Sequence, residues 1–157
     1  MLKEFMGYGK IKTICILGVG NTIRGDDGIG SYICSIIEQM QVPGITTMRV
    51  QQLDAEMVED LLHFDHVLIT DASINGKDVE LYELFPDVVP PLSSSHHLNA
   101  SMLGALAQKV YRKNLSLFIC AVRGYDFEIG DLLSEKAKAN CTKAISLTME
   151  WIDSLRN

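Results

Sequence analysis

The chain has 157 residues and a formal net charge of −6, with 47% hydrophobic and 22% charged residues. This length suits a single domain with a real core, and the composition is that of an ordinary globular protein. Acidic and basic residues are interspersed, so no basic stripe favours nucleic-acid binding.

The four cysteines, Cys15, Cys34, Cys120 and Cys141, form no CxxC pair and fall in apolar or helical segments. We predict that they are buried packing residues in a reducing compartment, not disulfide or zinc ligands. The start of the chain lacks the apolar core of a signal peptide, and no apolar run approaches the roughly 18 residues of a membrane span. We therefore expect a cytoplasmic protein.

The first third of the chain predicts a strand followed by a helix. Residues 1–10 are predicted to be a loose lead-in. Residues 13–17 are apolar and β-branched, as in a central parallel strand. Apolar residues recur at helical spacing over Ile29–Met40, which predicts a helix that ends before Pro43.

The middle of the chain predicts two strands with a short helix between them, and a third strand that follows closely. Residues 45–50 alternate weakly and predict a strand. Asp54 is the predicted N-cap of a short helix. Residues 67–70 predict a buried strand that ends at Asp71. Residues 79–85 alternate apolar with polar and predict a half-exposed strand, which could run antiparallel because only a short turn precedes it.

The last part of the chain predicts two helices around one strand. A loop is predicted for residues 87–95, and Asn99 is the predicted N-cap of the next helix. Residues 115–122 predict a mostly apolar strand. Ser134 is predicted to cap the last helix. The predicted buried face of that helix contains Ala137, Cys141, Ala144, Ile145, Thr148, Ile152 and Leu155.

Strands therefore alternate with helices along the whole chain. This order predicts one α/β domain over residues 1–157. Its expected architecture is a three-layer sandwich, with a mostly parallel twisted sheet of about five strands and helices on both faces.

A glycine-rich loop, GVGNTIRGDDGIG, follows the first strand and invites comparison with phosphate-binding loops. A dinucleotide fingerprint that starts at Gly18 needs a glycine where Ile23 stands. A P-loop that starts at Gly20 needs Lys-Ser/Thr where Asp26 and Asp27 stand. Two carboxylates would also repel a phosphate, so a nucleotide-binding α/β protein is a remote alternative.

The adjacent carboxylates Asp26 and Asp27 can instead hold a cation or activate a water. Consecutive side chains rarely point the same way, so one would face the cleft and the other could cap the following helix. Both could also merely cap the turn. Asp71 ends another apolar strand, and the carboxyl ends of adjacent parallel strands share one sheet edge. Asp26 or Asp27 would then converge with Asp71.

Histidines complete a possible nitrogen–oxygen metal site. His96 and His97 precede a predicted helix and could lie at the same sheet edge, and imidazole with carboxylates suits a borderline divalent metal. We interpret His63 and His66, at the opposite end of the sheet, as structural. No serine nucleophile is convincing, because the serine run at 93–95 lacks the strand-turn-helix context of a nucleophile elbow.

These motifs, in this order, resemble those of the hydrogenase maturation endopeptidases. Such proteases remove the C-terminal extension of a nickel–iron hydrogenase large-subunit precursor. The resemblance covers nearly the whole chain and rests on the stretches ILGVGNTIRGDDGIG, VLITDAS, SSHHL and AVRGYDFEIGDLLSE.

The resemblance implies a catalytic and metal-recognition site made of Asp27, Asp71 and His96. His96 fits the family pattern better than His97, and Asp26 would take a capping or positioning role. The metal would be nickel delivered by the substrate precursor, and cleavage would follow nickel insertion. Nickel could polarise the scissile carbonyl or activate a water, with a carboxylate as base. Because these ligands supply no obvious nucleophile, a non-cleaving metal sensor or precursor-binding chaperone is the alternative.

Overall fold

The computed structural model describes residues 11–85 and 95–157, with the backbone alone for residues 95–99. The predicted lead-in, residues 1–10, lies outside the described part. So does most of the loop that was predicted for residues 87–95. Helix and strand assignments below refer to the described residues.

A five-stranded sheet forms the centre of the structure, with strand order β2-β1-β3-β5-β4. Its strands are β1 (Ile14–Val19), β2 (Ile45–Val50), β3 (His66–Ser73), β4 (Val79–Leu84) and β5 (Leu117–Arg123). The first four strands in this order are parallel, and β4 alone pairs antiparallel, with β5. The predicted mostly parallel sheet is confirmed, including the reversed direction of β4.

Helices cover both faces of the sheet. They are α1 (Ile29–Met40), α2 (Met57–Leu61), α3 (Ser95–Tyr111) and α4 (Glu135–Arg156), with a 3-10 helix at Gly25–Gly28. The predicted cap at Ser134 is confirmed, because its side chain accepts a hydrogen bond from the amide of Ala137 at 3.2 Å.

Two predicted helix starts are wrong. Helix α3 already includes Ser95, so Asn99 lies within the helix and does not cap it. Helix α2 begins at Met57, and the carboxylate of Asp54 accepts from the amide of Glu56 at 2.9 Å, before the helix. Cap-forming residue types are frequent in turns as well as at helix starts, which explains why the sequence misplaced both.

Alternate residues of each strand enter two separate cores. Cys15 and Leu17 of β1 pack on the side of α2 and α3. Ile14 and Ile16 pack on the side of α1 and α4. This alternation gives the three-layer sandwich that the sequence predicted, because each face of the sheet buries one helical layer.

The last helix buries the predicted face. Ala137, Cys141, Ala144 and Ile152 lie in the core beside α1, and Ile145 and Leu155 pack partly buried against it. Thr148, the polar member of that face, is also fully buried. The carboxyl ends of β1 and β3 stay together, because Val19 pairs in register with Asp71.

Candidate active site

Two glycines allow helix α1 to pack directly against the backbones of β1 and β3. A Cβ on Gly18 would lie 2.6 Å from the carbonyl oxygen of Gly30. A Cβ on Gly30 would lie 2.6 Å from the carbonyl oxygen of Thr70. Both are collisions with backbone, so this part of the motif serves close packing of a helix on a sheet.

A third glycine brings Asp27 back to the end of β1. Gly20 has φ +143°, and a Cβ there would collide with the carbonyl oxygen of Asp27. The Asp27 carboxylate accepts a hydrogen bond from the amide of Asn21 at 2.7 Å. Asp27 is only partly buried. Its carboxylate therefore lies beside the turn that ends β1, with part of its surface open to a ligand.

Asp71 reaches the same edge from the neighbouring strand. It is 5% exposed and pairs in register with Val19, the last residue of β1. By the alternation of β3, Asp71 belongs to the face of Val67 and Ile69, which lie in the core beside α3. The 3-10 helix that carries Asp27 packs against β3. Asp27 and Asp71 thus lie at adjacent strand ends on one sheet edge.

The two candidate histidines lie in the first turns of α3. Position 96 precedes Ala100, Leu103 and Ala107 by four, seven and eleven residues, and these three residues are buried on the same face as Asp71. Residues at these spacings lie on one face of an α-helix, whereas position 97 is about a quarter of a turn away from that face. The side chains of both histidines lie outside the described part.

Asp26, the neighbour of Asp27, is fully buried and hydrogen-bonded on all sides. Its carboxylate accepts from the amides of Tyr125, Asp126 and Ser134 at 2.7, 2.9 and 2.7 Å. It also accepts from the hydroxyl of Ser134 at 2.7 Å. Burial raises the pKa of Asp26, but these four hydrogen bonds outweigh burial and lower the pKa below its usual value.

Asp26 therefore positions the site without facing it. A capping role was implied for it, but at the start of the following helix, α1. The structure places it instead at the start of the last helix, because Ser134 is the N-cap of α4. A carboxylate near a helix N-terminus is stabilised by the helix dipole.

The acidic loop is also tied to residues 125–134 through its backbone. The Gly25 amide donates to the carbonyl of Gly130 at 2.8 Å, and the Gly130 amide donates to the carbonyl of Ile23 at 2.8 Å. The Asp26 amide donates to the carbonyl of Asp126 at 2.7 Å. This loop is part of the stretch AVRGYDFEIGDLLSE on which the resemblance rests, but sequence reasoning missed its role in holding the acidic loop, because that role comes from backbone groups that no side-chain motif reveals.

A pocket of about 270 Å³ opens beside Asn21, on the β2 side of the Asp27 turn. Asn21, Thr22, Ser31, Arg49 and Gln51 supply its polar groups. Arg49 is paired with Glu38 at the outer rim. A pocket with amide, hydroxyl and guanidinium groups can bind the backbone and polar side chains of an extended peptide.

None of the cysteines supplies a nucleophile. All four are free and buried. Burial raises the pKa of Cys15, Cys120 and Cys141 to about 12 and that of Cys34 to about 11. Such thiols stay protonated at neutral pH, and the prediction that they are packing residues is confirmed.

Among the residues whose side chains are described, no three His, Cys, Asp or Glu side chains form a group that could hold a metal. Asp27 and Asp71, at the sheet edge, are two of the three predicted ligands. The third is His96, whose side chain lies outside the described part. His66 is at the opposite edge, where its ring nitrogen lies 2.8 Å from the hydroxyl of Ser116.

Comparison with known proteins gives sequence relatives of one kind. No family model matches the chain. Two proteins of Methanocaldococcus jannaschii, each named "Putative hydrogenase maturation protease", are 25% and 22% identical to it. The alignments cover 89% and 92% of this chain and 96% and 91% of the relatives.

Solved structures of the same kind share the fold. The hydrogenase maturating endopeptidase HybD from Escherichia coli superposes with a TM-score of 0.75 at 20% identity, covering 90% of this chain and 93% of that chain. HybD from Thermococcus kodakarensis gives 0.73 at 19% identity and covers 89% and 99%. HycI from the same organism gives 0.68 at 18% identity and covers 98% and 99%.

The resemblance found in the sequence is thereby confirmed: both sequence relatives are hydrogenase maturation proteases by name, and the solved structures share the fold. In the described part of the chain, no helix is long and apolar enough to cross a membrane.

Proposed function

We propose that the protein is an endopeptidase of hydrogenase maturation. Its substrate would be the precursor of a nickel–iron hydrogenase large subunit, from which it removes the C-terminal extension after nickel insertion. Asp27, Asp71 and His96 would recognise the nickel that the substrate carries. The names of its sequence relatives support a peptidase of this kind.

The observation that carries the proposal is the meeting of Asp27 and Asp71 at one sheet edge. The β1–β3 register puts Asp71 beside the last residue of β1, and the turn at Gly20 brings Asp27 back to the same point. Ligands of α/β sheets bind outside the carboxyl ends of their strands. The helical position of His96 over the same face supports a nitrogen ligand joining the two carboxylates.

The chemistry follows from this donor set. Carboxylate oxygens and an imidazole nitrogen suit nickel in its divalent state, and nickel that arrives bound to the precursor would still offer coordination positions to them. A metal held in this way can polarise the scissile carbonyl or lower the pKa of a bound water. Water is the favoured nucleophile, because the four cysteines are buried and protonated. A carboxylate can take the proton from that water.

The pocket beside Asn21 gives the peptide a place to lie. Asn21 connects the pocket to the catalytic edge, since it lines the pocket and its backbone amide donates a hydrogen bond to the Asp27 carboxylate. An extended segment that enters the pocket would pass Asp27. Precise positioning of the scissile bond against a fixed carboxylate contributes strongly to rate.

Intact-mass measurement of the precursor tests the proposal. Nickel-loaded and nickel-free precursors are each incubated with the protein, and we expect loss of a C-terminal peptide from the loaded form alone. His96→Ala should abolish the cleavage, and His97→Ala should retain it. Cleavage that is independent of nickel, or full activity in His96→Ala, would contradict the assignment.

The same measurement separates the second candidate, a non-cleaving precursor-binding chaperone or metal sensor. The burial of all four thiols favours this candidate, since it leaves no amino-acid nucleophile among the cysteines. A complex that forms with nickel-loaded precursor while the precursor mass stays unchanged would identify the chaperone. A shortened precursor would exclude it.

A further inference from the structure

Three large apolar side chains are exposed on the loops next to the candidate active site. Ile23 is 60% exposed, Ile129 83% and Leu132 78%. We call these three residues the apolar platform. Ile23 belongs to the acidic loop after β1, whereas Ile129 and Leu132 belong to the loop between β5 and α4. Single exposed apolar residues are ordinary, but a group on two joined loops is typical of an interaction surface.

The backbone places two members of the platform side by side. Arg24 and Gly130 form a parallel β-bridge. The residues just before them, Ile23 and Ile129, are therefore also at matching positions. Side chains at matching positions of a parallel pair point to the same face. Leu132 follows two residues beyond the bridge. Ile23 and Ile129 thus form one apolar surface across both loops, and Leu132 is exposed three residues further along the second loop.

The platform is fixed in place before any partner arrives. Two hydrogen bonds between Gly130 and the acidic loop join the two loops that carry the platform. The buried Asp26 carboxylate also accepts hydrogen bonds from the backbone of the second loop. A surface that is already ordered loses little conformational freedom on binding, which favours affinity.

The platform is also continuous with the candidate active site. The Ile23 amide donates to the side-chain oxygen of Asn21 at 3.1 Å, and the Asn21 amide donates to the Asp27 carboxylate at 2.7 Å. Two hydrogen bonds thus separate the platform from the proposed catalytic carboxylate. A protein whose peptide reaches Asp27 must lie over or beside Ile23.

The charges around the platform indicate the chemistry of the partner. Four exposed carboxylates, those of Asp126, Glu128, Asp131 and Glu135, lie in this loop and at the start of α4, against two exposed cationic groups, those of Arg24 and Lys136. An apolar centre with an acidic rim fits a protein surface that has an apolar centre and a basic rim. A second copy of this chain would bring acidic rims together, and its net charge of −6 adds to that repulsion.

We propose that the apolar platform is the docking surface for the folded body of the hydrogenase large-subunit precursor, separate from the peptide that is cut. This inference rests on the proposed function. The platform would lower KM for the precursor by binding it outside the reacting bond, while Asp27 and Asp71 act on the bond itself. Attraction between the acidic rim and a basic surface on the precursor would make docking sensitive to ionic strength.

Steady-state cleavage of the nickel-loaded precursor encoded in the same genome tests the inference. The double variant Ile129→Ser/Leu132→Ser is compared with wild type and with Val110→Ser. Val110 is 62% exposed near the end of α3, away from the acidic loop, and serves as the matched control. We expect KM to rise about tenfold in the double variant with kcat unchanged, as for the loss of interface anchor residues. Val110→Ser should behave as wild type.

A charge-reversal variant tests whether the acidic rim of the platform contributes to docking. Glu128→Lys should raise KM for the precursor and weaken its dependence on salt. All variants replace exposed side chains, so their thermal unfolding midpoints should match wild type.

The outcomes are distinguishable. A wild-type protein that neither binds nor cleaves the precursor overturns both this inference and the proposed function. Wild-type cleavage with an unchanged KM in the double variant overturns the docking surface alone. A wild-type dimer in sedimentation velocity that the double variant loses would assign the platform to self-association and overturn the precursor as its partner.

Discussion

Asp26 and Asp27 are adjacent and chemically identical, yet they belong to two different regions of the molecule. Asp26 is fully buried under the loop at 125–134 and accepts four hydrogen bonds from it. Asp27 is partly exposed at the end of β1 and accepts a hydrogen bond from the backbone amide of Asn21 in its own turn. Hydrogen bonds within the protein occupy the Asp26 carboxylate, whereas the Asp27 carboxylate can still bind a ligand.

This difference shows how a pair of acids can divide two tasks. The buried carboxylate joins the acidic loop to the start of α4, and by doing so it fixes the backbone from which Asp27 projects. A site on a loop needs such support, because catalysis tolerates little displacement of the reacting groups. Substituting each aspartate by itself therefore separates the two tasks.

The largest effect is expected for Asp27→Asn. Asparagine can still accept from the Asn21 amide through its side-chain oxygen, so the turn should stay folded. Loss of the charge should lower kcat for precursor cleavage about 10³-fold, within the range for removing an acid–base group. Chemical denaturation should give a free energy of unfolding within about 1 kcal/mol of wild type. Activity within tenfold of wild type would contradict the role of Asp27.

Asp26→Ala should act through stability. The substitution leaves three amides and one hydroxyl without their acceptor in a buried place, and we expect a loss of about 3 kcal/mol in the free energy of unfolding. Urea denaturation measures this loss. The control is Asp126→Ala, which removes one local bond to the amide of Glu128 from an exposed side chain and should cost under about 1 kcal/mol. Equal losses in the two variants would contradict the structural role of Asp26.

Gly30→Ala tests the close approach that places the acidic loop over the strands. The new Cβ would meet the carbonyl of Thr70 at 2.6 Å and the amide nitrogen of Val19 at 2.8 Å, and backbone cannot move aside easily. We expect a loss of about 2 kcal/mol, although alanine is otherwise favoured in a helix. Gly130→Ala is the matched control, because no atom lies within 4 Å of its added Cβ. Thermal unfolding of both variants gives the comparison.

The smallest expected effect is the contribution of Asp26 to the pH dependence of stability. Its pKa in the folded protein is lowered, so its contribution to stability is complete above the usual carboxyl pKa of about 3.9. That contribution is lost as the pH falls through the folded value. Wild type should therefore lose more stability between pH 5 and pH 3 than Asp26→Asn does. Parallel curves for the two proteins in urea denaturation would show that Asp26 is not a low-pKa group.

The sequence predicted the fold well because periodicity records burial directly. Alternation along β4 and helical spacing along α4 reflect which side chains enter the core, and both elements are found as predicted. The cap at Ser134 was also predicted correctly. The starts of α2 and α3 were not, because Asp54 and Asn99 have side chains that suit turns and helix caps alike.

The division of labour between the two aspartates could be predicted only in outline. The sequence indicates that one carboxylate faces the cleft, and the resemblance chose Asp27. The partners of Asp26 lie about a hundred residues away, and three of its four donors to that carboxylate are backbone amides. Backbone donors have no residue type, so no pattern of side chains reveals them.

A nickel soak of the crystallised protein, with anomalous diffraction at the nickel edge, tests the central claim most directly. The account predicts one nickel ion within coordination distance of carboxylate oxygens of Asp27 and Asp71 and of a ring nitrogen of His96. It also predicts that Asp26 keeps its hydrogen bonds to Tyr125 and Ser134. Nickel bound by Asp26, or bound at this edge without Asp27, would contradict the account.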